Sequence, residues 1–351
     1  MKKSKLRKIF RVIKWVLSIF ILFLLVECIR PTWTPNIKGE DSVSELSKVS
    51  INGTKLEVMV RGKDIDNPVI IFVHGGPSCS EIPYIRKYQD LLEQKFTIVH
   101  YDQRGSGKSY QFGENYKDLT AATHIEDLLA LTDYIEKKLG KDRVILMGHS
   151  YGTYIATIAA SRAPEKYSAY VGIGQMSDTN QSELEGLHTI MNDAKGKDNK
   201  EDYTYLESLE ERIMNGEMIT PRDYVRKYGH AARLIDENSD YIKGFLWGSE
   251  YNLFDGIKFF IAAGKSQDAL IKEALDNPVT QIVDTLDVPV YFVMGKYDCM
   301  TSPKAAENYL NSINSTKTKE IKIFEESAHY PHLEEKEAFY EWMCDTFKIQ
   351  K

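Results

Sequence analysis

The chain has 351 residues, 42% of them hydrophobic and 27% charged, enough for one large domain with an ample core and unlike a disordered, collagenous or disulfide-scaffold protein. Its formal net charge is −6, yet residues 1–14 carry Lys2, Lys3, Lys5, Arg7, Lys8, Arg11 and Lys14 and no acid, so the rest is more acidic than the total suggests. An acidic body repels phosphate backbones, which argues against nucleic acid as a partner.

The basic arm (1–11) runs into an apolar stretch, 12–29, in which 15–26 has only Ser18 as a polar side chain. At about 1.5 Å per residue a helix here is ~27 Å long, close to the thickness of a bilayer's hydrocarbon core, and Lys14 and Glu27 can reach the interfaces. The exit Val26-Glu27-Cys28-Ile29-Arg30-Pro31 lacks the small residues of a signal-peptidase site, and Glu27 stands where a lipoprotein box needs a small residue. The expectation is a retained single-pass transmembrane anchor in the cell membrane, with the C-terminal bulk of the chain on the extracytoplasmic side.

Residues 30–47 are polar, with prolines and a glycine, and read as a linker. A regular pattern follows. Residues 55–61 alternate like a strand. Val69-Ile70-Ile71-Phe72-Val73 is a short run that stops at Gly75-Gly76-Pro77, as a buried strand does, and 96–101 is another. Between 122 and 139, Ile125, Leu128, Leu129, Thr132, Ile135 and Leu139 share one helical face. Strand 144–147, the small apolar helix 153–163 and strand 169–173 complete a first core segment, 48–175. Residues 176–279 are polar and helical in pattern. Strand character returns at 288–294, followed by a helix near 303–313, a strand at 320–324 and a final amphipathic helix at 334–347, forming a second core segment, 280–351. Strands alternating with helices imply an α/β fold with a mostly parallel sheet flanked by helices, interrupted by an inserted helical cap.

The sharpest chemical signal is Gly148-His149-Ser150-Tyr151-Gly152, a G-x-S-x-G sequence between a strand and a helix, the context of a nucleophile elbow. It presents Ser150 Oγ at a helix N-terminus, where the dipole favours an oxyanion. His74-Gly75-Gly76-Pro77, directly after a strand, suggests a backbone oxyanion hole from the N–H groups of Gly76 and Tyr151. A serine nucleophile needs a base and an acid to orient it, and in this type of fold the chain order is serine, acid, histidine. Asp298 follows the strand at 288–294, whereas Asp284 and Asp287 precede it, at the wrong end. His329 follows the strand at 320–324 across a short loop and is preferred as base to His332. His149 and His100 read as structural. Tyr101-Asp102-Gln103-Arg104-Gly105-Ser106-Gly107-Lys108-Ser109 lacks the spacing of a phosphate-binding loop, so Asp102 and Arg104 read as braces. The four cysteines, Cys28, Cys79, Cys299 and Cys344, have no metal-site spacing and read as free thiols, so neither metal nor organic cofactor is expected.

Taken with Gly295-Lys296-Tyr297-Asp298 and Ser327-Ala328-His329, these motifs make residues 45–350 resemble the proline iminopeptidases of the α/β-hydrolase superfamily, peptidase family S33. The resemblance implies removal of N-terminal residues, often proline, from short peptides, with cap carboxylates holding the free amine; Glu250 and Asp255 are the counterparts it suggests. The same triad serves an esterase or lipase of small acyl esters, and the fold also occurs in non-catalytic binding proteins.

Overall fold

The computed structural model describes residues 2–350. The first residue of the basic arm and the last residue of the chain lie outside the described residues, as do the side chains of 2–6.

Eight strands form one sheet: β1 (Val43–Ile51), β2 (Thr54–Gly62), β3 (Val69–Val73), β4 (Thr97–Tyr101), β5 (Val144–His149), β6 (Tyr167–Ile173), β7 (Val290–Gly295) and β8 (Lys319–Phe324). Their spatial order is β1-β2-β4-β3-β5-β6-β7-β8, antiparallel for β1/β2 and β2/β4 and parallel from β4 onward. The short β-branched runs form the centre because they are covered on both faces. In β3 the alternation is explicit. Val69, Ile71 and Val73 join a cluster with Ile125 and Leu128 of helix Ala121–Leu139 and Ile155 of helix Tyr151–Arg162. Ile70 and Phe72 join the opposite cluster, with Phe339 and Met343 of helix Lys336–Thr346.

Between β6 and β7 the chain leaves the sheet and is helical, from Thr179–Gly196 to the long helix Leu253–Asp276. This excursion has its own small core around Leu187, Ile190, Leu206 and Val225. Because β6 and β7 are parallel neighbours, the excursion leaves from the carboxyl edge of the sheet and returns to its amino edge, and on the way its helices Thr179–Gly196 and Leu253–Asp276 line the cavity that holds Ser150 at the carboxyl edge.

Two expectations need correction. Residues 30–47 are not a free linker. β1 begins at Val43, and Trp33 N–H donates to Ser249 O at 2.9 Å while Arg61 Nη1 donates to Thr34 Oγ1 and Pro35 O, both at 2.6 Å. β1 is an edge strand, half-exposed along most of its length, so its apolar alternation in sequence is weak. The final helix is broken at Glu335 into Pro331–Glu334 and Lys336–Thr346. There the carboxylates turn back to the preceding loop: Ala328 N–H donates to Glu334 at 2.6 Å and Ser327 Oγ to Glu335 at 2.6 Å.

Burial sets an acid limit on this fold. Desolvation pushes His74 and His332 down to about 4 and His100 down to about 3. In the unfolded chain these rings take up protons near 6.5. As pH falls from about 6.5 towards 4 the unfolded state binds protons that the folded state refuses, so this stability is full above 6.5 and is lost on acidification. The melting temperature should fall by on the order of 10 °C between pH 7 and pH 4.5 in a calorimetric series. A flat profile over that range would contradict the buried, neutral state of these rings.

Candidate active site

Ser150 stands between β5 and helix Tyr151–Arg162, with φ 53° and ψ −125°. A non-glycine residue in that region is strained by about 1–3 kcal/mol, and its neighbours hold it there. Ser150 N–H donates to Ile173 O at 2.9 Å, and Ser150 O accepts from Thr153 N at 2.8 Å and Thr153 Oγ1 at 2.6 Å. The flanking glycines are required by space. A Cβ at Gly148 would stand 2.8 Å from Gly152 O, and one at Gly152 would overlap the Val73 carbonyl oxygen.

Asp298 follows β7, and His329 follows β8. His329 Nδ1 lies 2.8 Å from Asp298 Oδ2, and both side chains are buried. Asp298 accepts every bond around it: Oδ1 from Met300 N at 2.8 Å and Thr301 N at 2.9 Å, and Oδ2 also from Thr301 Oγ1 at 2.8 Å. With Nδ1 committed as donor, Nε2 is the acceptor nitrogen; it is buried and has no hydrogen-bond partner among the described residues. Ser150 and His329 line one cavity of about 460 Å³ together with Gly76 and Tyr151. The Ser150–His329 hydrogen bond is not formed in this structure; such bonds are often long before substrate binds.

Gly76 and Tyr151, the two residues expected to offer backbone N–H groups, line the same cavity. Tyr151 opens its helix, so its N–H has no intrahelical acceptor. Gly76 has φ 112°, open only to glycine, and a Cβ on Gly75 would stand 2.8 Å from Ser150 Cβ, so the loop after β3 passes directly against Ser150.

Behind His329 lies a brace that the sequence did not reveal. His329 N–H donates to Ala231 O at 3.0 Å, and its carbonyl oxygen accepts from His149 Nε2 at 3.0 Å. His149 Nδ1 in turn meets Glu81 Oε1 at 2.7 Å. Burial alone raises the Glu81 carboxyl, but the charge and hydrogen bond of His149 outweigh it and hold the group well below the usual carboxylate range. The structural reading of His149 thus gains content, since it fixes the loop that carries His329. His332 lies 3.6 Å from Glu81 and belongs to this buried cluster. His100 is hydrogen-bonded to Gln89 at 2.7 Å. Arg104 grips Asp127 with two 2.8 Å bonds, and Asp102 accepts from Lys108 N at 2.6 Å and from Tyr251 OH, so both act as braces.

Glu250 and Asp255 do not line the cavity. Glu250 pairs with Arg86 at 2.8 Å and accepts from Thr34 at 3.0 Å, and Asp255 closes the capping box of helix Leu253–Asp276 with Asn252. The carboxylates that do line it are Glu81, Glu183 and Asp268. Glu183 is held by Arg222 in a two-bond fork of 2.6 and 2.9 Å. Asp268 is exposed and has no hydrogen-bond or ion-pair partner among the described residues.

A family model described as the alpha/beta hydrolase fold matches residues 68–336. The chain belongs to the α/β-hydrolase family. Among curated relatives the hydrolase is 27% identical over 318 residues to a probable aminopeptidase, YbaC, of Bacillus subtilis, covering 86% of this chain and 96% of that one. It is 25% identical over 275 residues to a proline iminopeptidase of Saccharolobus solfataricus, covering 78% and 83%. The crystal structure of a proline iminopeptidase of Mycobacterium smegmatis superposes with a TM-score of 0.63 at 16% identity, covering 86% of this chain and 97% of that one, a likeness of fold.

Proposed function

We propose that this hydrolase is a serine aminopeptidase of proline iminopeptidase type, acting on short peptides through an acyl-enzyme on Ser150. The observation that carries the reading is the unpaired Nε2 of His329, fixed by Asp298, in the same cavity as the strained Ser150 elbow. His329 Nε2 takes the Ser150 Oγ proton as the oxygen attacks the scissile carbonyl, and the Gly76 and Tyr151 N–H groups receive the oxyanion. His329 then gives the proton to the departing amine, and a water deprotonated by the same nitrogen hydrolyses the ester. The chain's own residues supply each of these roles.

Relatives named aminopeptidase and proline iminopeptidase support a substrate with a free α-ammonium group. Of the cavity's carboxylates, Glu81 and Glu183 are already paired, which leaves Asp268 to receive that ammonium. Asp268→Asn should raise KM for Pro-, Ala- and Leu-arylamides about tenfold, the worth of one modest charged contact. The effect on p-nitrophenyl acetate, which has no amine, should be much smaller. Equal losses on both substrates would place the amine site elsewhere, and hydrolysis of esters with no turnover of any arylamide would replace the aminopeptidase reading with the esterase one.

Helix Lys2–Ile29 includes one segment, Arg7–Ile29, long and apolar enough to cross a membrane, and its apolar side chains are largely exposed. The basic residues before it favour a cytoplasmic N-terminus, so the reading places the catalytic domain on the extracytoplasmic side of the cell membrane.

A further inference from the structure

Six large apolar side chains are exposed around the point where helix Lys2–Ile29 meets the domain: Trp33 at 52%, Phe112 at 59%, Trp247 at 69%, Phe254 at 44%, Ile257 at 44% and Phe260 at 64%. They come from separate stretches of chain that a set of polar bonds ties to the end of that helix. Arg30 Nη2 donates to Gly248 O at 2.7 Å and Tyr251 O at 3.0 Å, and Asn252 Nδ2 donates to Arg30 O at 2.8 Å. Trp33 N–H donates to Ser249 O, so Trp33 and Trp247 flank this junction. Phe254, Ile257 and Phe260 then begin helix Leu253–Asp276, and Phe112 packs on Phe254 with ring centroids 6.0 Å apart. The anchor helix itself touches helix Leu253–Asp276, and Leu24, Glu27 and Cys28 are half-buried at its end.

A flexible tether would leave such a face free to tumble in water. Here the junction is bonded, so the helix axis and the apolar face move as one piece. A bilayer that takes up the helix as far as Ile29 brings its interface to Arg30–Trp33, and therefore to this face. Tryptophans concentrate at that level of a membrane, and an apolar helix face settles into the boundary between headgroups and acyl chains.

We propose that this face of the hydrolase is a membrane-docking surface, lying in the lipid interface beside the anchor. The proposal rests on the anchor reading and adds a fixed orientation to it. Gln267, Asp268 and Ile271, farther along the same docked helix, line the catalytic cavity, so docking sets the cavity's height above the bilayer.

The test uses the full chain with half-buried Cys28 and Cys79 changed to serine, leaving Cys299 and Cys344 buried. It is reconstituted in phosphatidylcholine–phosphatidylglycerol vesicles with spin-labelled lipid. A thiol-reactive fluorophore is placed in turn by Leu22→Cys in the anchor, Phe260→Cys in the face and Lys272→Cys, whose side chain is 73% exposed, farther along the same helix. Probes at 22 and 260 should lose most of their fluorescence to the lipid quencher, and the probe at 272 should keep it. Trp247→Cys gives a second reading of the face should Phe260→Cys fail to fold. Quenching at 22 with 260 and 247 as bright as 272 overturns the docking surface and leaves the anchor standing. No quenching at any site overturns the anchor reading. A probe at 260 that resists the quencher but shifts to the blue as protein density in the vesicles rises would show a second copy of the chain on this face, which also overturns the proposal.

Discussion

Ser150→Ala should lower kcat by about 10⁴- to 10⁶-fold on every substrate the wild type turns over, with the melting temperature moved by only a few degrees. The two halves of this result have one cause. Ser150 Oγ makes no hydrogen bond among the described residues, and the elbow is held through the backbone, by Ile173 O and by Thr153. Removing the hydroxyl therefore removes chemistry and almost no packing. Stopped-time assays with arylamides and a thermal melt on the same preparation read both halves. An active alanine variant would mean that another group attacks.

Asp298→Asn should cost about 10³- to 10⁴-fold in kcat, and unlike the serine variant it should also destabilise the fold by roughly 1–3 kcal/mol. All four of its partners donate: Met300 N, Thr301 N, Thr301 Oγ1 and His329 Nδ1. An amide turns one acceptor into a donor, so one N–H must face another wherever the amide nitrogen is placed. If the nitrogen faces His329, the ring turns to the tautomer with the proton on Nε2, which cannot take a proton from Ser150. If it faces Met300 and Thr301, two backbone donors lose their acceptor at the mouth of the loop. Denaturant melts and steady-state kinetics separate the two losses. A variant as stable and active as wild type would show that the contact is incidental.

The arrangement of the candidate site was legible in the sequence because it is written in local signals. A strand, a small-residue turn and a helix around Ser150 fix a backbone shape, and strand ends fix which acid and which histidine can reach the same sheet edge. Two other local signals are present. Asn52-Gly53 between alternating segments marks a two-residue hairpin, and its φ values of 44° and 79° are those of that turn, so β1 could have been read from it. Asn252 with Asp255 three residues on is a capping spacing, which explains why Asp255 serves helix Leu253–Asp276 rather than substrate. The remainder was not legible because it depends on distant contacts. Glu81 reaches His329 through His149, and Asp268 stands out among the cavity's carboxylates only because Glu81 and Glu183 are already engaged. The strap at 30–35 looked like a linker because its polar residues are satisfied by Arg61, Ser249 and Glu250, none of which is near it in sequence.

The most direct measurement is the mass of the purified chain after reaction with a fluorophosphonate, followed by peptide mapping. A hydroxyl made nucleophilic by an oriented imidazole should take one phosphonyl group, carried on the peptide containing Ser150, and Ser150→Ala should take none. An unmodified wild type, or a label that persists in Ser150→Ala, would contradict the account.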